Sequence, residues 1–562
     1  MWGKDMNRQI KYSFTRFIKS HAILLSILAI GIFFRVYHFN QIPPSLNWDE
    51  VSIGYNAYSI LKTGKDEFGN RFPLYFRSLD DYKMPVYVYL TVVAEMLLGL
   101  TDVAVRITSL LFGILTIYLM YVLAMELTRK KDIALLSAFA TAITPWNIMF
   151  SRMASEANVA MALTLLAMIL FLRGIRNNFR LLSLSVLVFG IASYTYLSFR
   201  VVAPLIGALL FIIHIKEILK NKTMLLSLLI PGILVGGFLI RDLMSPTAAI
   251  RFSGTNFLSH SSELLEINER EMAYDGTLGI NIPRRIIHDS PIFSGFQIIA
   301  RAYLSHFSAD FLLYGIGHKQ ESSIFSGLMY LWMLPCMLLG LYVLFVTQRK
   351  TTIAAVLLWI LIPPIPASIT WDAPHAIRTL GMSIGLAFLV ALGMSAVLEF
   401  IKNRTGFIQK SLLYVLLCVF VVGEGFVFFH QYTIHVPYER SFHWQYSYRE
   451  VTEYVEAVKN QYDKIIISTK LEWPYAFMLY YTKYDPATYL AQGGTKSGSW
   501  SAQENTYDKF EFRRIDLKND FATPNILMIG DPDDFSQRKD FIRSFHYLDG
   551  KTSIVAFESP RK

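Results

Sequence analysis

The residues best suited to chemistry in this chain are Asp49 and Glu50, within Asn47-Trp48-Asp49-Glu50, just after the first apolar run. They follow Pro43-Pro44, a pair that a helix interior does not accommodate. Neighbouring residues point in different directions on a helix. One carboxylate is therefore free to face a cavity and accept a proton while the other orients the segment. The plain alternative is a solvated acidic loop or a helix N-cap.

Cations accompany these acids. Lys83 precedes Met84-Pro85. Proline suits the first turn of a helix, so Lys83 is expected at the positive end of the helix that follows, a natural phosphate site. The alternative is a lysine reaching to lipid headgroups. Asp80, Asp81 and Tyr82 crowd the same turn and are candidates for substrate contact. Arg152 and Glu156 lie in Phe150-Ser151-Arg152-Met153-Ala154-Ser155-Glu156. Ser155 is placed to cap the next helix, with Glu156 in its first turn. Arg200 follows Tyr194-Thr195-Tyr196, and Pro374-His375-Ala376-Ile377-Arg378 opens another apolar run. His375 and Arg378 are three apart and are expected on one helix face. Acids suit deprotonating a hydroxyl, and cations suit holding an anionic leaving group.

The elements that position these groups follow from composition. Of 562 residues, 53% are hydrophobic and 17% charged, and the mean hydropathy is +0.37. A soluble chain carries about a quarter charged residues. The apolar runs are about twenty residues long with short basic connections, which defines a polytopic α-helical membrane protein. The net charge of +10 then reflects cytoplasmic loops. No basic stripe with interleaved aromatics suggests nucleic acid. Cys336 and Cys418 both lie in apolar runs, against a disulfide framework or thiolate metal site. Walker, dinucleotide-binding and HExxH motifs are absent, as is any visible repeat.

Residues 1–20 carry Lys4, Arg8, Lys11, Arg16 and Lys19 and read as a cytoplasmic N-terminus before an uncleaved anchor. The run 85–100 is short and contains Glu95. If it lies on the membrane surface, Arg129-Lys130-Lys131 and the basic connections at 173–180, 216–222, 349–350 and 402–410 all fall inside. It is read as an interfacial helix. About eleven spans follow, near 21–38, 103–127, 132–148, 157–173, 181–197, 200–215, 224–240, 324–346, 352–369, 376–400 and 411–430. The transmembrane domain is thus 21–430, with a first external loop at 39–102 holding the acids and a long external loop at 241–323. Residues 431–562 are Tyr-rich and charged, and read as a small external α/β domain. Its expected elements are a helix over 449–460 and strands over 464–468, 525–529 and 552–557. Glu424 is an ionisable group inside a span, without an evident partner.

Pro43-Pro44, Asp49-Glu50, Thr63-Gly64-Lys65-Asp66 and Lys83-Met84-Pro85-Val86-Tyr87 together resemble the GT-C glycosyltransferases that use lipid phosphosugars. The nearest relatives are the protein O-mannosyltransferases and the aminoarabinose transferases of lipid A. The resemblance is strongest over 35–200, continues through Tyr303–Phe311 and Pro374–Arg378, and is weak over the last 130 or so residues. It implies Asp49 as catalytic base, Glu50 as the second member of an Asp-Glu pair, Glu156 as a further acid and Lys83 as a contact to the lipid phosphate. Relatives often carry Pro-Pro after that lysine and Asp in place of Glu156. The central loop domain of eukaryotic protein mannosyltransferases is absent.

The expected reaction moves a monosaccharide from a polyprenyl-phosphate donor to an acceptor hydroxyl on the external face, with inversion. Asp49 removes the proton. Lys83, with Arg200, His375 or Arg378, stabilises the leaving phosphate. Glu50 and Glu156 position the base or the acceptor. No cofactor is required, although the acids leave room for a divalent metal. Expected partners are the lipid-linked donor, a glycan, lipid or protein acceptor, and membrane lipids. Two rivals stand beside this reading. A secondary transporter would place charges near the membrane midplane, and a non-enzymatic scaffold would use the external domain for binding.

Overall fold

The computed structural model describes residues 21–78, 81–244, 291–315, 327–370, 372–404, 406–496, 504–536, 538 and 540–560, with scattered residues between 269 and 279. After the apolar helix α1 (His21–Val36), α2 (Trp48–Thr63) begins at the acidic pair itself. Asn47 caps it by accepting from the Glu50 amide, while the Glu50 carboxylate accepts from the Asn47 amide. This reciprocal box satisfies two amides that a helix start leaves orphaned. Gly64 ends α2 at φ 70°, a conformation that suits glycine. A short ribbon of β1 (Phe76–Ser78) and β2 (Asp81–Lys83) leads to α3 (Pro85–Leu98), which has proline in its first turn as expected.

The membrane helices follow: α4 (Asp102–Thr128), α5 (Lys131–Ile143), α6 (Pro145–Ser151), α7 (Glu156–Asn177), α8 (Arg180–Ser193), α9 (Phe199–Ile213) and α10 (Lys222–Leu243). Beyond α11 (Pro291–Ser305) come α12 (Met333–Thr347), α13 (Lys350–Leu361), α14 (Met382–Lys402) and α15 (Phe407–His430). Among the described residues, six helices are long and apolar enough to cross a membrane: α4, α7, α10, α13 with its continuation to Ser368, α14, and α15 with its continuation to Glu439. A seventh span results if α5 and α6, bent by 57°, act as one. The shorter apolar helices α1, α8, α9 and α12 coincide with the remaining runs read as spans. Helices α12 and α14 approach closely through glycine. A Cβ on Gly340 would lie 1.9 Å from the Leu389 carbonyl oxygen, and one on Gly393 would lie 1.9 Å from that of Cys336.

Two helix starts differ from expectation. The run 324–346 becomes helical only at Met333. Before it, Leu328 accepts from the Trp146 amide and Met329 donates to Leu312, so this apolar backbone bonds to other segments. The run 376–400 becomes helical only at Met382. Residues 376–381 form turns and His375 precedes them outside any helix, so His375 and Arg378 share no helix face. Hydropathy reports burial, which an ordered apolar turn satisfies as well as a helix.

Helix α3 buries Tyr87, Val88, Thr91 and Ala94 and packs against α2 and α4. Val93, Met96 and Leu97 remain exposed on it. An apolar outer face fits a helix lying at the membrane surface. The C-terminal part carries a six-stranded sheet of order β4-β5-β3-β6-β8-β7. Its strands are β3 (Lys464–Ile467), β4 (Asn505–Tyr507), β5 (Phe510–Phe512), β6 (Ile526–Gly530), β7 (Arg543–His546) and β8 (Thr552–Glu558). Strand β3 runs parallel to β5 and β6, and the remaining pairs are antiparallel. Helices α16 (Tyr448–Val458), α17 (Pro474–Tyr481) and α18 (Pro486–Ala491) accompany it. One apolar cluster joins α2 and α3 to α17 and the sheet. The C-terminal part is therefore packed directly on the helix that bears Asp49.

Candidate active site

The two adjacent acids are separated by burial. Glu50 is 1% exposed and Asp49 is 55% exposed. Glu50 accepts from Arg106 through both carboxylate oxygens, from Nε at 2.8 Å and from Nη2 at 2.7 Å. It also accepts from the Ala154 amide at 2.7 Å. Arg106 donates further to the carbonyls of Pro43 and Ser45 and lies over the Trp444 ring. Glu50 thus ties the start of α2 to α4 and to the turn before α7. This fixes where Asp49 points.

Asp49 is met by Lys83, whose Nζ is 2.6 Å from its Oδ1. Lys83 is the last residue of β2, two residues before Pro85, and is held near the positive end of α3 by the ribbon. Its side chain is 11% exposed. A buried stem and a fixed ammonium beside an exposed carboxylate place an anion holder and a proton acceptor at one spot.

Glu156 opens α7, and Ser155 caps that helix by accepting from the Asn158 amide, as the spacing predicts. The Tyr196 phenol, in the turn between α8 and α9, connects Glu156 to the rest. The charges of Arg378, Glu156, Asp372 and Asp49 act on it electrostatically. These four charges therefore lie within electrostatic reach of one hydroxyl. Arg378 pairs with Asp372 and donates to Thr370 at 2.7 Å. His375 Nε2 is 3.4 Å from Asp372. Burial works against the charged form of Asp372, yet His375 and Arg378 hold it below the usual carboxylate range. The His375 amide donates to His306 Nε2 at 3.2 Å, and His306 Nδ1 lies 2.8 Å from the Ala302 carbonyl. That pattern requires a neutral ring protonated on Nδ1, and burial pushes His306 down to about 4.

Other expected site residues are placed elsewhere. Arg152 is buried and donates to the carbonyls of Phe34, Arg35, Tyr37 and Ile42, closing the end of α1. Arg200 lies in a separate cluster with Asp242 (2.9 Å), Tyr75 and Tyr194. Tyr82 lines a cavity of about 630 Å³ with Tyr75 and Arg77. Asp80 is outside the described residues, and for Asp81 only the backbone in β2 is described. Glu424 gains a partner, since it accepts from the Leu331 amide at 2.6 Å just before α12.

Arg106, Asp372, His306 and Tyr196 were not singled out by the sequence. Arg106 carried a usable signal, because a cation inside an apolar run must find a partner. Among the described residues, no group of three or more His, Cys, Asp or Glu side chains is arranged to hold a metal.

Residues 82–239 match the model of the dolichyl-phosphate-mannose-protein mannosyltransferase family. No curated protein sequence matches the chain. Among solved structures, ArnT from Cupriavidus metallidurans bound to undecaprenyl phosphate superposes with a TM-score of 0.55 at 10% identity, covering 95% of this chain and 98% of that one. The apo state of the same protein gives 0.51 at 10% identity, covering 97% and 98%. The chain therefore shares the fold of these ArnT structures, and residues 82–239 match the mannosyltransferase family model.

Proposed function

We propose that this protein is a membrane glycosyltransferase that moves a monosaccharide from a polyprenyl-phosphate donor to an acceptor hydroxyl. The observation that carries this is the Lys83–Asp49 contact of 2.6 Å at the head of α3. A donor phosphate arriving there competes with Asp49 for the Lys83 ammonium. Binding of the donor then frees the Asp49 carboxylate where the acceptor hydroxyl must lie. Asp49 takes the hydroxyl proton as the oxygen attacks the anomeric carbon from the side opposite the phosphate. The new C–O bond forms as the old one breaks, with inversion, and the lipid phosphate leaves as an anion. It needs electrostatic stabilisation rather than an acid, and Lys83 supplies it. Arg378 and His375 are secondary phosphate contacts, released from Asp372 when the donor is bound. Glu50 and Arg152 serve the scaffold rather than the substrate. Arg200 orders the Tyr75–Asp242 cluster beside the site. Glu156 orients the acceptor.

The N-terminus is placed in the cytoplasm, with α3 and the C-terminal domain outside, since that arrangement makes five basic connections obey the positive-inside rule. The relative bound to undecaprenyl phosphate supports a lipid phosphate as the donor's carrier. The sugar is left open, because the mannosyl name belongs to the family model alone. The ionisable groups of this site lie at helix ends, whereas a transporter needs them at the midplane. Purified protein should transfer labelled sugar from a polyprenyl-phosphate donor to one of a panel of glycan, lipid and peptide acceptors. Uptake of solute into vesicles without any transfer would favour the transporter.

A further inference from the structure

The β1–β2 ribbon has two faces with different tasks. Register pairs Phe76 with Lys83 and Arg77 with Tyr82. Residues opposite one another in an antiparallel pair share a face, and neighbours along a strand alternate. Lys83 therefore points to Asp49 on the face where Phe76 is buried. Arg77 and Tyr82 point to the other face, into the cavity of about 630 Å³. The catalytic pair and the cavity are separated by the thickness of one ribbon.

The lining has a specific chemistry. Phe68, Tyr75 and Tyr82 bring aromatic rings, and Arg77 stacks its guanidinium 5.0 Å from the Phe68 centroid. Asn70 is held by Asp66, which accepts from its Nδ2 at 3.0 Å. Thr495, from the C-terminal domain, completes the lining and donates to the buried Glu67 at 2.7 Å. Flat apolar rings beside planar polar groups and hydroxyls match a sugar, which has apolar C–H faces and a hydroxyl rim. A lipid chain would not need Asn70 and Arg77. The volume lies within the range of roughly 300–1,000 Å³ usual for small-ligand sites.

We propose that this cavity binds a saccharide unit of the acceptor, one remote from the hydroxyl that reacts at Asp49. The acceptor is then a glycan of two or more units that passes around the ribbon, held between the first external loop and the C-terminal domain. This assignment rests on the glycosyltransferase reading above, and its test does not require transfer. Full-length protein in nanodiscs is examined by saturation-transfer NMR with soluble di- to tetrasaccharides built of hexose, N-acetylhexosamine or hexuronic acid units. At least one class should bind. Phe68→Ala and Tyr82→Ala should each weaken that binding several-fold, and Tyr82→Phe should retain it. Binding by none of the classes, or binding indifferent to Phe68→Ala and Tyr82→Ala, overturns the proposal. If Phe68→Ala does not fold, the Tyr82→Ala and Tyr82→Phe pair decides. Saccharide binding without any sugar transfer from a lipid donor would instead count against the transferase reading alone.

Discussion

Glu50 and Arg106 meet through two hydrogen bonds, 2.8 Å and 2.7 Å long, with both side chains withdrawn from solvent. Breaking a buried pair from one side leaves an uncompensated charge, at a cost of about 3–5 kcal/mol. Arg106→Met should therefore lower the unfolding midpoint in detergent sharply. Glu50→Gln should also be destabilised, because the amide cannot neutralise Arg106. Replacing both by apolar residues should recover part of the loss. An Arg106→Met protein as stable as wild type would show that Glu50 does not anchor the start of α2.

Helix α2 touches the C-terminal domain at Gly54. A Cβ there would lie 2.5 Å from a Tyr480 ring carbon and 2.8 Å from Val105 Cγ2. Tyr480 is buried and has little room to move. Gly54→Ala should cost about 1–3 kcal/mol through overpacking. The readout is faster proteolysis between α15 and β3, with the membrane helices still folded. Unchanged protease resistance would mean that the two parts do not share one core.

Glu67 joins the first external loop to the same domain, accepting from Asn56 at 2.8 Å and from Thr495 at 2.7 Å. Burial raises it to about 7, against the opposing bonds from Thr495 and Asn56. Its folded value exceeds the unfolded one, so the stability linked to this group is full below about pH 4.5 and is lost as pH rises to 7. The difference is roughly 3 kcal/mol. Thermal midpoints of wild type and Glu67→Gln, compared from pH 4.5 to 8, should diverge in slope, with the variant flatter. Parallel curves would show that Glu67 does not titrate in this window.

Lys83→Ala should raise the donor KM, and Lys83→Arg should keep part of the affinity, since a single phosphate contact depends more on charge than on shape. Unchanged donor affinity and turnover in Lys83→Ala would move the phosphate site to Arg378 or Arg200.

The sequence showed the site where local rules act alone. Ser155 before Glu156 and Pro85 after Lys83 are read correctly because capping and proline geometry depend on a few neighbouring residues. The acidic pair was harder. The same four residues that suggested a catalytic loop are a capping box, and only the tertiary position of Arg106 shows that Glu50 is buried and Asp49 is not. Asp372 and His306 were invisible for the same reason, since their partners lie in turns whose geometry no periodicity encodes. The late starts of α12 and α14 reflect apolar residues held in ordered turns. The partner of Glu424 lies 93 residues away in sequence.

The most direct measurement is sugar transfer by Asp49→Asn. The amide is nearly isosteric and keeps a hydrogen bond to Lys83, but it cannot accept a proton near neutral pH. A general base contributes about a hundredfold to ten-thousandfold. Asp49→Asn should fold, bind the polyprenyl-phosphate donor at least as well as wild type, since a neutral amide competes for Lys83 more weakly than a carboxylate, and lose transfer by that factor in kcat rather than KM. A folded Asp49→Asn protein that transfers sugar at near-normal rate would contradict the role of Asp49 as base and leave Glu156 as the next candidate.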